Sequence, residues 1–533
     1  MTIGFGKLRL TNSDPLGSLA SQSLAVGVGL LISRGLGFIR DVIIAYQFGA
    51  SAHTDAYLIA AQVPFVFDSL LAGGGLYSAL MPVAALCVAH DRSDKSLGRL
   101  IGNTTTFVLL VSGSAGLLGL LFSPLIVKVF GGGLDSDASS IATHLVSMTM
   151  LGLPFIGLTN VAWAALNTKE RFWGPAFAQS SSNFVLIAFA IAFGPTFGIY
   201  ALGIGYIIGV ILQVVPQYLE LGYIRIPFRL GLDLRDPDLL AVFHLFWPLA
   251  IGSLVLILSA AVDNYFSTLL PPGGVTIIRY AWGLTVPFSI ISMGISIPAL
   301  TRLSRDVVKS DFVHMSAFLQ QVVRVLSLVL FGAAAYLVVV REPIVSLVYQ
   351  RGAFDYVAAQ RTSETLAVYA FWLPFGGVYY FLLRGLIAFS KSRLILLLNG
   401  LALILNFALD LIFFTPLAHA GIALSSVFVQ IVFVFLSALI LERELKHKHF
   451  SAKMLFPLCA NGVAAVLGIG GGLWGGLTLR QFTSSESWLY WICVSCIVAF
   501  LYLAVSKVLG VCDFSWLRLL TPSRRIAQDI ESG

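Results

Sequence analysis

Residues 33–57 read S-R-G-L-G-F-I-R-D-V-I-I-A-Y-Q-F-G-A-S-A-H-T-D-A-Y and place Arg34, Arg40 and Asp41 inside the first long apolar segment of the chain. An arginine near the middle of a membrane helix costs about 2.5 to 3.5 kcal/mol even on lenient insertion scales, so it persists where it faces protein, water or an anionic ligand. Snorkelling to a headgroup is the competing reading. Against it, a long run of apolar or small residues separates Arg34 from Ser13 and Asp14, and Val42 to Phe48 is largely apolar on the far side. The stretch predicts a polar cavity inside a membrane protein, with Arg34 lining it. Arg40 either lines the same cavity or is salt-bridged to its neighbour Asp41.

Composition points the same way. Hydrophobic residues make up 58% of the 533 and charged residues 11%, with a mean hydropathy of +0.90, where an ordinary soluble domain carries about 25% charged residues. About 20 apolar residues are needed per spanning helix, and apolar segments fall near 17–46, 56–87, 102–130, 141–166, 176–196, 198–221, 239–270, 277–300, 316–340, 362–388, 394–415, 419–441, 454–478 and 487–510. The expected fold is an all-α polytopic membrane protein of about fourteen transmembrane helices.

Lysine and arginine collect on the cytoplasmic side of membrane proteins. With the N-terminus inside, the inner loops and tails hold twenty-four of the 33 lysines and arginines and the outer loops six, which predicts cytoplasmic N- and C-termini. The net charge of +7 is therefore a topology signal, and no basic run interleaved with aromatics suggests nucleic acid. Lys7 and Arg9 ahead of an apolar run resemble a signal peptide, but the run is long and carries Arg34, so it is expected to be retained as the first helix. Cys87, Cys459, Cys493, Cys496 and Cys512 lie in or beside apolar segments. They read as buried small residues rather than as a disulfide or metal framework, C-V-S-C at 493–496 included. His447 and His449 sit among Lys446 and Lys448 on a solvated loop. Neither a P-loop nor a nucleophilic triad is present, so catalysis and ATP-driven work are not expected.

The chain repeats itself at a nearly constant offset. Pro124 to Asp135 resembles Pro343 to Asp355, Lys169 and Arg171 recur as Lys391 and Arg393, Gly198-Ile199 as Gly421-Ile422, and Val63-Pro64-Phe65 as Val286-Pro287-Phe288. Six spans restore the same sidedness, so the repeats are parallel, as in transporters that rock two bundles around a central site. The expected organisation is a cytoplasmic N-terminus (1–16), an N-lobe of six helices (17–222), a C-lobe of six (223–445), two further helices (446–510) and a cytoplasmic tail (511–533).

Ser33-Arg34, Leu36-Gly37-Phe38, Arg40-Asp41, Phe48-Gly49-Ala50-Ser51 and Thr54-Asp55-Ala56-Tyr57 resemble the first two helices of the MurJ/MviN family of lipid II flippases. Asn167 with Arg171-Phe172, Pro175-Ala176-Phe177, Glu342-Pro343-Ile344-Val345 and Arg351-Gly352-Ala353-Phe354 are similar to its later motifs. The resemblance covers about 33–425. It implies the fourteen-helix fold of the multidrug/oligosaccharidyl-lipid/polysaccharide exporter superfamily, a cationic cavity for a pyrophosphate headgroup and a groove at the last two helices for the lipid tail. Arginine's planar fork suits a pyrophosphate in a low-dielectric cavity.

This chain departs from the family pattern at several cavity positions. Pro64-Phe65-Val66-Phe67-Asp68-Ser69-Leu70 stands where the family has an arginine pair, Gly73 where it has glutamate, and Gly283 where it has a cavity arginine. Arg279 lies one turn, about 6 Å, before Gly283 on the same face. It either partly replaces that cation or anchors the outer end of its helix. The substrate-binding candidates are thus Arg34, Arg40 and Arg279, and the gating or ion-coupling candidates Asp41, Asp55, Asp68 and Asp263, with Asp410 a further cation candidate. Gly73-Gly74-Gly75 permits a bend in segment two.

The expected function is flipping of an undecaprenyl-pyrophosphate-linked saccharide, lipid II by default, from inner to outer leaflet of the bacterial plasma membrane by alternating access. Another lipid-linked glycan is the close alternative, and ion-coupled export of a small molecule the remoter one. No cofactor or metal is expected; coupling to the membrane potential or a monovalent cation is. The partners expected are the lipid-linked saccharide and membrane lipids, with no nucleic acid, and the chain is expected to act as a monomer.

Overall fold

The computed structural model describes residues 15–71, 76–90, 94–171, 173–224, 226, 229–447, 449–480 and 488–512, and every regular element among them is an α-helix. The chain divides into two compact units, Met1–Ile257 and Leu258–Gly533. The first contains α1 (Pro15–Phe48), α2 (Ala52–Leu71), α3 (Leu76–His90), α4 (Lys95–Leu121), α5 (Ser123–Phe130), α6 (Ser136–Met150), α7 (Leu153–Thr168), α8 (Trp173–Phe197) and α9 (Tyr200–Tyr223). The division falls inside α10 (Pro237–Thr268). The second unit continues with α11 (Gly274–Val308), α12 (Phe312–Val339), α13 (Arg341–Val348), α14 (Tyr356–Ala370), α15 (Trp372–Ala388), α16 (Ser392–Leu445), α17 (Phe450–Leu479) and α18 (Trp488–Val508).

Each expected apolar segment coincides with one of these helices, a helix pair or half of α16. Among the described residues eight helices are long and apolar enough to cross a membrane, or ten if α6–α7 and α14–α15, each bent by 40°, count as single spans. The 54 residues of α16 would reach about 80 Å at 1.5 Å per residue, far beyond a hydrocarbon core of about 30 Å. The helix breaks at Ala418, whose backbone is non-helical (φ 48°, ψ −122°) just after Pro416. The turn closes tightly there, and a Cβ at Gly421 would lie 2.2 Å from the Phe413 carbonyl oxygen. This chain is a multi-pass membrane protein, and the count of fourteen remains an expectation of hydropathy.

The second unit restates the local structure of the first. α5 and α13 are eight-residue helices that follow a long span and begin beside Pro124 and Pro343. Asp135 and Asp355 then cap α6 and α14, accepting the Ala138 and Ala358 N–H at 2.7 and 2.8 Å. Left-handed residues fall at Asp94 and Glu170 in one unit and at Ser310 and Ser390 in the other. The sequence repeat is thus a repeat of caps, turns and bends.

With little hydrophobic drive between helices in lipid, association relies on close packing and polar contacts. Gly468, Gly472 and Gly476 form a stripe on α17 against α18, where a Cβ at Gly472 would lie 2.3 Å from Val498. Asn461 on α17 donates to Ser327 Oγ of α12 at 3.0 Å and accepts from Ser506 Oγ of α18 at 3.1 Å, so the last two helices are fastened to α12. Leu121, Leu219, Leu397 and Phe500 are exposed, as lipid-facing side chains should be.

The segment before α10 is clasped to α4. The buried Asp236 carboxylate accepts from Asn103 Nδ2 at 2.9 Å, pairs with Arg99 Nε at 3.0 Å and caps α10 by accepting the Asp238 N–H at 3.0 Å. Replacing Asp236 by alanine removes a cap and strands the Asn103 amide, while Arg99 keeps Asp238, for an expected loss of about 2 kcal/mol. Thermal unfolding in detergent should show a melting point lower by several degrees, with Asp236→Asn milder.

Candidate functional site

The family-like motif at residues 48–57 builds the corner between α1 and α2. Gly49 ends α1 in the left-handed region (φ 64°), and the Thr54 hydroxyl donates to the Phe48 and Gly49 carbonyls at 3.2 and 2.9 Å. Ser51 Oγ in turn accepts the Thr54 N–H at 3.3 Å. Asp55 is buried in the first turn of α2, where a carboxylate gains from the helix dipole.

This corner holds the end of α1 against α2, while the middle of α1 lies against α8. There the half-buried Arg40 directs its guanidinium in two directions. Nε and Nη2 donate to Asp41 Oδ1 at 3.0 and 2.7 Å, and Nη1 donates to Asn183 Oδ1 of α8 at 3.0 Å. The Asn183 amide also donates to the Ser33 carbonyl at 3.3 Å. Asn183 therefore fixes both the helix and the orientation of its arginine. Arg34 is exposed and lies on the same face as Asp41, seven residues or two turns away. An Asn183→Leu variant should fold yet lose several-fold in transport, and Asn183→Gln should recover part of it; a leaflet assay beside a melting curve separates the two effects.

A related constellation lies in the second unit, between α10 and α16. Asn406 donates its amide to Asp263, and to Asp410 Oδ2 at 3.4 Å. Asp410 and Asn406 are buried, and the Ser425 hydroxyl lies against Asp410. Asp263 stands 222 residues after Asp41, and Asn406 stands 223 after Asn183. The repeat has thus placed the same aspartate and asparagine in both units, while Arg40 corresponds to Val262 and Asp410 to Ile187. The first constellation contains its own cation. The second contains two carboxylates and no cation from the described chain.

Of the remaining candidates, Asp68 is on α2 with its side chain outside the described residues, as are Gly73, Gly74 and Gly75. Arg279 is exposed on α11 and Gly283 is half-buried; a Cβ at Gly283 would stand 3.7 Å from the Tyr349 hydroxyl. Arg34, Arg40, Asp41, Asp55 and Asp68 belong to the first unit, Asp263 and Arg279 to the second. Sequence reasoning missed Asn183 and Asn406. An asparagine inside an apolar run gives no charge signal, although the repeat offset already linked the two. Among the described residues no group of three or more His, Cys, Asp or Glu side chains could hold a metal.

The family model for "Lipid II flippase MurJ" matches residues 44–493. The chain belongs to the lipid II flippase MurJ family. It is 29% identical over 370 residues to a probable lipid II flippase MurJ of Aquifex aeolicus, covering 68% of this chain and 71% of that one. A lipid II flippase MurJ of Burkholderia cenocepacia is 28% identical over 415 residues, covering 75% and 80%. Among solved structures, a lipid II flippase MurJ in an inward closed conformation superposes with a TM-score of 0.73 at 23% identity, over 93% of this chain and all of that one. An inward-facing multidrug transporter of the MATE family in the MOP superfamily gives 0.66 at 14% identity, over 79% and 99%. These two likenesses concern the fold.

Proposed function

We propose that this chain flips lipid II from the inner to the outer leaflet of the bacterial inner membrane by alternating access, as a monomer with both termini in the cytoplasm. The observation that carries the reading is the Arg40 guanidinium, held in fixed orientation by Asp41 and Asn183 within an apolar helix of a MurJ-family chain. A pyrophosphate entering a low-dielectric cavity needs fixed cations, and bidentate guanidinium contacts supply charge and geometry together. Arg34, exposed on the same helix, is a second cation for the headgroup, and Arg279 a third. The role is transport, with no bond made or broken in the cargo.

Energy for the uphill direction comes on this reading from a monovalent cation or the membrane potential. Two carboxylates sharing one amide repel each other in a low-dielectric interior unless a cation or proton lies between them. Asp263, Asp410 and the Ser425 hydroxyl offer the hard oxygen donors such an ion prefers.

The test is depletion of the protein in its host, followed by an added enzyme that cleaves only outward-facing lipid II headgroups. Collapse of cleavable lipid II is expected. Unchanged lipid II with loss of a secreted polysaccharide would move the cargo to another lipid-linked glycan, the reading that the departures at Asp68, Gly73 and Gly283 favour.

A further inference from the structure

Arg324, like Arg34 and Arg40, lies inside an apolar segment of the sequence. Arg324 is on α12. Val325 to Val340 after it is an apolar and small-residue run of about 24 Å at 1.5 Å per residue, ended by Arg341. Arg324 therefore stands near the boundary between hydrocarbon and headgroups. Lys453 occupies the same level on α17, immediately before the apolar run from Met454. Both side chains are exposed, and both line one cavity of about 630 Å³ between α12 and α17.

The lining of that cavity is layered. Gln320, Gln321, Arg324 and Lys453 supply a polar upper end, while Leu328 and Phe456, one turn further along their helices, supply an apolar lower end. Among the described residues no carboxylate lines it, and none forms an ion pair with Arg324 or Lys453. The acids at the nearby α16–α17 corner are engaged elsewhere: Glu444 pairs with Lys391 at 2.8 Å and Glu442 accepts the Ser451 N–H at 2.8 Å. Snorkelling into water would satisfy either cation alone. It does not explain two cations and two amides converging over an apolar floor.

We propose that this groove holds the phosphate headgroup of an anionic glycerophospholipid, gripped by Arg324 and Lys453, with an acyl chain along Leu328 and Phe456. Two cations over a polar-to-apolar step match a phosphodiester above a hydrocarbon chain, and basic pockets between transmembrane helices recognise anionic lipids in this way. Because Asn461 fastens α17 and α18 to α12, a lipid seated here would brace the last two helices against the rest of the second unit. The binding claim requires only that α12 and α17 span the membrane, so it can fail while the lipid II reading stands.

The experiment is native mass spectrometry of the detergent-purified protein titrated with phosphatidylglycerol, phosphatidylcholine or lipid II. Wild type should bind phosphatidylglycerol in preference to phosphatidylcholine. The double variant Arg324→Gln, Lys453→Gln should bind phosphatidylglycerol at least about tenfold more weakly, each cation near a membrane surface contributing about 1 kcal/mol. An Arg305→Gln, Lys309→Gln protein, altered outside the groove, should bind as wild type does, and melting curves establish that all three are folded. Equal affinity of wild type for phosphatidylcholine, or unchanged phosphatidylglycerol binding in the double variant, overturns the proposal. So does a double variant that loses lipid II and keeps phosphatidylglycerol, which would make the groove a cargo entrance.

Discussion

Replacing Arg40 by alanine is expected to bring outward-facing lipid II down to the level of depleted cells, a loss of tenfold or more, while Arg40→Lys keeps an intermediate level. The reason is geometric. The guanidinium donates to Asp41 and to Asn183 on a different helix at once, and lysine's ammonium has no planar fork with which to do both. Hydrogen bonds to charged groups contribute about 1.5 to 3 kcal/mol each, so losing even one direction changes the population of the ordered arginine about tenfold.

Arg40→Ala also strands the half-buried Asp41 carboxylate, so a loss of transport could reflect poor folding. The double variant Arg40→Ala, Asp41→Ala removes both charges and should melt close to wild type, yet remain unable to restore outward lipid II. If that double variant transports normally, Arg40 serves to neutralise Asp41 and does not meet the cargo.

The two constellations show what a sequence discloses and what it hides. Segment positions were legible because apolar runs and Gly198-Ile199 or Gly421-Ile422 turns leave marks that do not depend on context. The repeat was legible because prolines and capping aspartates recur at a fixed offset, and the structure turns them into matching helix starts at α5, α6, α13 and α14. Partnership was not legible. Arg40 beside Asp41 suggests a local salt bridge, but the contact with Asn183 spans 143 residues and depends on how α1 lies against α8. Asp263 and Asp410 read separately as candidates, and it is Asn406 that joins them. Arg324 escaped because a single cation at the edge of an apolar run looks like a helix end until Lys453 is found across the groove.

The second constellation leads to the other large effect. Melting of the purified protein should depend on which monovalent cation is present, and Asp410→Asn or Asp263→Asn should abolish that dependence and reduce transport tenfold or more. The repeat supplies the argument. Asp41 and Asn183 are satisfied by a cation carried on the chain, whereas Asp263 and Asn406 share their position with a second carboxylate and have a valine where the arginine would be. An ion that binds the folded state alone stabilises it by about 2.7 kcal/mol at a concentration one hundred times its dissociation constant, enough for a rise of several degrees. The comparison is sodium, lithium and potassium against choline at equal ionic strength, which removes general screening. A shift produced by one small cation and absent from both variants locates the ion between the two carboxylates. A protein indifferent to all four cations, whose melting point nevertheless moves with pH in wild type and not in Asp410→Asn, would assign the place to a proton; indifference to both would remove this pair from energy coupling and leave the membrane potential to drive the cargo across.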